Sequence, residues 1–171
     1  MIVKISTLLF FLLTCTVCPA NARTPFTGVV KKIIDGDSLL IKAGRKTIEV
    51  RLYGIDCPEY DQPFSAAAKA LVRRKVYGKK VLVQPLYTDS YRRLVAIVTY
   101  GDHTLNSDLV QSGLAWIYPQ YCRKKICRAW QEREESARTM KKGIWSRSRP
   151  ISPWKWKKQK RSQKRNPNSS H

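Results

Sequence analysis

The chain has 171 residues, enough for a single domain around one core. Its 33 Lys and Arg against 12 Asp and Glu give a formal charge of +21, which excludes a cationic partner and favours a polyanion, nucleic acid before anionic membrane or glycan. There are only two histidines, His103 and His171, so a histidine-pair ribonuclease mechanism and histidine-centred metal chemistry are both excluded.

Lys4 precedes a mostly apolar run from Ile5 to Val17, and Pro19-Ala20-Asn21-Ala22 follows as an A-x-A cleavage pattern. This predicts a secretory signal peptide over residues 1–22, because the run falls short of the roughly 20 residues needed to span a bilayer. Its removal takes away one lysine and no acid, leaving +20. Three cysteines then remain, Cys57, Cys122 and Cys127. In an oxidising compartment the cheapest pairing is the short loop between Cys122 and Cys127, with Cys57 left over. Zinc is not expected, since no second Cys or His pair stands at ligand spacing.

Three strand-like runs come next. Phe26 to Ile34 leads into the acidic turn Asp35-Gly36-Asp37, and Ser38 to Lys42 into the turn Ala43-Gly44-Arg45. Lys46 to Tyr53 then alternates again. The Pro63 to Tyr77 segment is rich in helix formers and is followed by Gly78. Strand patterns return at Lys80 to Tyr87 and Arg92 to Tyr100. A short helix is expected to start at a capping Asn106 and stop at Gly113, and a longer charged one to cover Lys125 to Lys142. Five strands with a helix after the third, followed by further helices, predict an α+β OB-type barrel with about three helices over residues 23–146. Residues 147–171 are basic and proline-containing, and are expected to form a disordered arm. Within it, Trp154-Lys155-Trp156 suits base stacking or a membrane interface, and equally an idle solvated tail.

Acids are scarce, so their placement carries information. Asp35 and Asp37 end the first strand, and Asp56 and Glu59 end the third, which lets two turns of a strand meander converge. Such carboxylates suit a hard divalent cation, calcium first, and also suit ordinary turns. Arg51 precedes Asp56 on its strand, and Arg92 and Arg93 open another. Guanidinium forks beside a cation are what phosphodiester hydrolysis calls for, although one of Arg92 and Arg93 is expected to be a solvated strand edge. With no histidine to serve, Glu59 is the expected general base.

The motifs IDGDS (34–38), VRLYGIDCPE (50–59), DSYRRLVA (89–96), LVQSGLAWIY (109–118) and GIW (143–145) resemble the staphylococcal nuclease-like (thermonuclease) family, in order from about Thr27 to Ser146. The resemblance implies an OB-fold endonuclease that uses one calcium ion to cut DNA and RNA, usually leaving 3′-phosphates. It assigns Asp37, Asp56 and the carbonyl of Cys57 to the metal. Arg51 and Arg93 fall to the scissile phosphate, and Glu59 to the attacking water. Cys57 stands where the family often has Thr or Ala, and Arg92 where it often has Gly. Tyr118 and Tyr121 would stack on a base or pack internally. The resulting expectation is an exported monomeric enzyme, periplasmic or secreted. It would have little sequence preference and no obligate protein partner, with membrane contact at most through the tail. A catalytically inactive OB-fold module that only binds nucleic acid is the alternative.

Overall fold

A computed structural model describes residues 24–165, so the expected signal peptide lies outside the described residues. Strands β1 (Phe26–Ile33), β2 (Ser38–Ala43) and β3 (Lys46–Leu52) form an antiparallel meander. A two-residue strand, β4 (Ile55–Asp56), follows, and then helix α1 (Ser65–Val76). Strands β5 (Lys80–Thr88) and β6 (Leu94–Tyr100) complete the barrel, and the short β7 (His103–Thr104) pairs with the end of β6. The sheet order is β3-β2-β1-β5-β6-β7, and a parallel pairing of β3 with β6 closes it through Val50↔Leu94, Arg51↔Val95 and Leu52↔Ala96. Register shifts between Val30 and Lys32 and between Pro85 and Tyr87 bend the long strands, as closure of so small a barrel requires.

Alternation along the strands makes the core. Val30, Leu39, Ile41, Val50, Val83 and Val98 are fully buried, and their strand neighbours largely face outward. Helix α1 covers one end of the barrel with Ala68, Leu71, Val72 and Val76, a helical stripe. Beyond β6 come α2 (Leu105–Gln111), the two-residue β8 (Trp116–Ile117), α3 (Ile126–Thr139), a 3₁₀ turn (Gly143–Ser146) and α4 (Pro153–Arg165). Strand β8 pairs with β4, which ties the chain around Asp56 to the helical half. Cys122 and Cys127 are joined by a disulfide just ahead of and within α3.

Two expectations are corrected. Asn106 does not cap α2, whose cap position is Thr104; it lies inside the first turn, fully buried. Its side chain accepts from the Val98 N–H at 3.2 Å and donates to the Tyr53 carbonyl at 2.9 Å, so it satisfies backbone groups of the barrel instead. The second correction concerns the arm. Over 153–165 it is a helix, and two tryptophans seat it. Trp154 stacks on Tyr118 at 4.7 Å and 11°, and Trp156 donates from Nε1 to Asp61 at 2.9 Å. Upstream, Gln62 reaches across to the Ile151 carbonyl at 2.6 Å. Composition alone predicts disorder here because the cations outnumber the apolar residues, but a few long-range side-chain contacts suffice to dock the helix. The described chain thus has four α-helices where about three were expected.

Candidate active site

The turn between β1 and β2 carries the first carboxylate. Asp35 accepts the Asp37 N–H at 2.9 Å, which tightens the turn, and the Leu52 N–H binds the Asp37 carbonyl at 2.8 Å. Ser38 pairs in register with Arg51, so the antiparallel ladder sets Arg51 beside Asp37. Just beyond β3, in a separate two-stranded sheet, the β4–β8 pair fixes Asp56 opposite Trp116.

These placements converge on Arg51. Its Nη1 lies 3.1 Å from Asp37 Oδ2 and its Nη2 2.7 Å from Asp56 Oδ1. Asp37 Oδ2 also accepts the Cys57 N–H at 2.7 Å. Nη1 donates to the Leu52 carbonyl as well, at 3.1 Å. Of the five donors on a guanidinium, the Nε–H and one Nη2–H therefore remain for another ligand. Asp56 Oδ2 is buried without a hydrogen-bond partner, the one carboxylate oxygen so left among the described residues.

Burial governs the electrostatics. It pushes the Asp37 carboxyl up to about 7, with Arg51 pulling the other way and Asp35 and Asp56 adding to the rise. Burial also lifts Asp56 against the pull of Arg51 and Lys157. Burial works against the charge on Arg51, but the two acids outweigh it and hold the guanidinium above its ordinary range. The Cys57 thiol, fully enclosed, is pushed well up by burial and stays neutral. It fills the space beside Gly36, where a Cβ would stand 2.7 Å from the Cys57 Cβ and 2.9 Å from its Sγ. Packing is therefore the role of that side chain, and only its backbone carbonyl is left for a ligand.

A cavity of about 840 Å³ opens over this cluster, lined by Asp37, Arg51, Asp56, Glu59 and Arg93 together with Lys157. Arg93 stands at the entry to β6, next to the closing pair with β3. Its guanidinium is held by Asp89 at 2.8 Å. Burial raises the Asp89 carboxyl, but the hydrogen bonds and charge of Arg93 and the Tyr91 N–H together hold it below its usual value. Glu59 sits on the rim, paired with Lys157 at 2.8 Å, and its N–H is bound by Gln62. Arg92 does not line the cavity. It is exposed with φ 66, a left-handed position where glycine is the easy choice, and its side chain is the solvated one of the arginine pair. Tyr118 lines the cavity but its face is taken by Trp154, whereas Tyr121 remains 47% exposed at the mouth.

A sequence profile described as staphylococcal nuclease homologue matches residues 49–147. The chain belongs to the staphylococcal nuclease family. It is 36% identical to an "Uncharacterized endonuclease" of Haemophilus influenzae over 151 residues, which covers 88% of this chain and 83% of that protein. It is 33% identical to a "Micrococcal nuclease" of Shigella flexneri over 146 residues, covering 80% and 83%. It is 32% identical to a "Probable staphylococcal-like nuclease CAN1" of Oryza sativa over 127 residues, covering 74% of this chain and 36% of that larger protein. The profile match ends at residue 147, ahead of α4 and its Lys157.

The donors present suit a hard cation. Among the described residues no cluster of three or more His, Cys, Asp or Glu is placed to hold a metal, and Asp37 and Asp56 are the two carboxylates that meet at Arg51. Oxygen-only donors and the orphaned Asp56 Oδ2 fit calcium, which fills its 6–8 positions with carbonyls and water where carboxylates are few. Lys157 and Asp89 had no local sequence signal as site residues. Lys157 reaches Glu59 only because α4 folds back, and Asp89 reads as an ordinary turn residue.

Proposed function

We propose that this protein is a calcium-dependent endonuclease that hydrolyses phosphodiester bonds of DNA and RNA with little sequence preference, leaving 3′-phosphates. The observation that carries the reading is the Asp37–Arg51–Asp56 cluster under a cavity whose rim holds Glu59 and Arg93. Asp37, Asp56 and the Cys57 carbonyl would hold the ion, which when bound supplies a Lewis acid for the charge that builds on phosphate.

The chain's own groups divide the remaining work. Arg51 offers its free Nε–H and Nη2–H to a non-bridging phosphate oxygen, while Asp37 and Asp56 keep its plane fixed. Arg93, steadied by Asp89, presents its remaining donors from the opposite strand, so the two forks meet a phosphate from two sides. Glu59 accepts a proton from the attacking water, and the hydrogen bond from its partner Lys157 orients the carboxylate. Low sequence preference follows because these groups read phosphate oxygens and leave base edges alone. The disulfide suits an oxidising compartment, in keeping with export to periplasm or medium, and a monomer would carry the whole site.

The test is hydrolysis of plasmid DNA and of a single-stranded RNA with calcium and then with a chelator, followed by end-group analysis. Calcium-restored cleavage leaving 3′-phosphates is expected on both substrates. Undiminished cleavage under chelation would remove calcium from the reading. Tight binding with no cleavage under any condition would make the protein a binding module.

A further inference from the structure

Helix α4 carries seven cations, and the domain uses only two of them. Lys157 pairs with Glu59 at 2.8 Å and Lys160 pairs with Asp61. Among the described residues, Lys155, Lys158, Arg161, Lys164 and Arg165 have no acidic partner, and all five are exposed. Residues three, four and seven apart share a helical face, so Lys158, Arg161 and Arg165 form one row, flanked by Lys157 and Lys164. Like charges crowded on one face repel one another, and no carboxylate among the described residues pairs with the row.

The row has a fixed origin. Trp154 and Trp156 seat the first turn, and Lys157, one turn on from Trp154, is part of the cavity lining. The docked position of α4 therefore makes its cationic row continuous with the site where a phosphate would meet Arg51 and Arg93. From Lys157 to Arg165 the helix rises about 12 Å, which matches three to four phosphate steps along one strand of a duplex.

We propose that α4 is a second phosphate-binding site, whose Lys158–Arg161–Arg165 row holds the backbone of the nucleic-acid strand flanking the bond to be cut. It rests on the nuclease reading for its substrate class, and it adds an element beyond the residues that the family profile matches. The row contributes affinity and register, and no proton transfer. Lys157 links the two sites: it orients Glu59 from the same helix that grips the flanking strand.

The experiment is anisotropy of a fluorescein-labelled 24-base-pair duplex bound in chelator by the full chain, from 50 to 200 mM NaCl. The triple variant Lys158→Ala/Arg161→Ala/Arg165→Ala should give a log–log salt slope shallower by about 3, at roughly 0.9 per lost phosphate contact. Over that range its affinity should then fall about 40-fold less than that of the unaltered chain. A charge-keeping triple, Lys158→Arg/Arg161→Lys/Arg165→Lys, should retain the original slope. Circular dichroism and the near-ultraviolet tryptophan signal verify that α4 stays docked in both. An unchanged slope in the alanine triple with α4 docked would overturn the proposal. So would loss of binding only to phosphatidylserine vesicles, which would make the row a membrane contact. Absence of hydrolysis by the unaltered chain with calcium would sink the nuclease reading alone, because the salt slope is measured without turnover.

Discussion

Arg51→Ala removes the one cation between two buried carboxylates, so its cost can be worked from the site. The Asp37 and Asp56 side chains are only 8% and 4% exposed, and the variant leaves them facing each other with only the pull of Lys157 on Asp56 as compensation. Removing one partner from a buried ion pair costs about 3–5 kcal/mol, a large part of the 5–15 kcal/mol that holds a typical domain together. The melting temperature should drop by roughly 6–20 °C for a chain of this size. The loss should also depend on pH in a stated direction. Burial already raises Asp37 from 3.8 to about 7, and without Arg51 both acids rise further. A carboxyl raised in the folded state favours folding while protonated, and that advantage drains away as pH climbs from the unfolded value through the folded one. Urea unfolding in chelator should therefore show a small difference between variant and parent near pH 5 and the full loss near pH 8. Calcium at a hundredfold its dissociation constant should return about 2.7 kcal/mol to either protein. A loss under 1 kcal/mol at pH 8, or one larger at pH 5 than at pH 8, would refute the account of this site.

Asn106→Ala should cost about 2 kcal/mol or more, because it orphans the buried Val98 N–H and Tyr53 carbonyl together. A urea midpoint shift worth under 0.5 kcal/mol, taking roughly the variation of an ordinary surface substitution as the yardstick, would show that water replaces the amide. Gly36→Ala should cut hydrolysis about a hundredfold or more, since the new methyl meets Cys57 and Ala68 at under 3 Å and must displace the Asp37 turn. Gly44→Ala is the control. Its φ of +58 makes it cost about 1–2 kcal/mol of stability, but nothing lies within 4 Å and its hydrolysis rate should match the parent's. Equal turnover in the two alanine variants would disconnect Gly36 from the site.

The barrel was legible because period-2 alternation is written locally in each strand, and Val30, Leu39 and Val50 are fully buried within the runs so marked. The acids and arginines of the site were legible for a different reason: they cluster within short motifs at strand ends, where family resemblance and chemistry agree. What could not be read was docking between distant segments. Trp154 meets Tyr118 and Lys157 meets Glu59 across many residues of chain, and nothing around α4 except its two tryptophans hints at a partner. Asn106 shows the complementary failure. A polar residue opening an amphipathic run has the local signature of a cap, and only tertiary context reveals a buried amide serving Tyr53, 53 residues earlier.

The parallel seam between β3 and β6 has a kinetic consequence. It pairs Arg51 with Val95, a contact that spans α1 and β5, and such long-range pairings pay their loop-closure entropy before any reward arrives. The same seam is what brings Arg51 and Arg93 to one cavity. A chain still emerging from the ribosome, with β6 not yet paired to β3, holds its two guanidiniums apart. The candidate site cannot assemble before that seam zips shut.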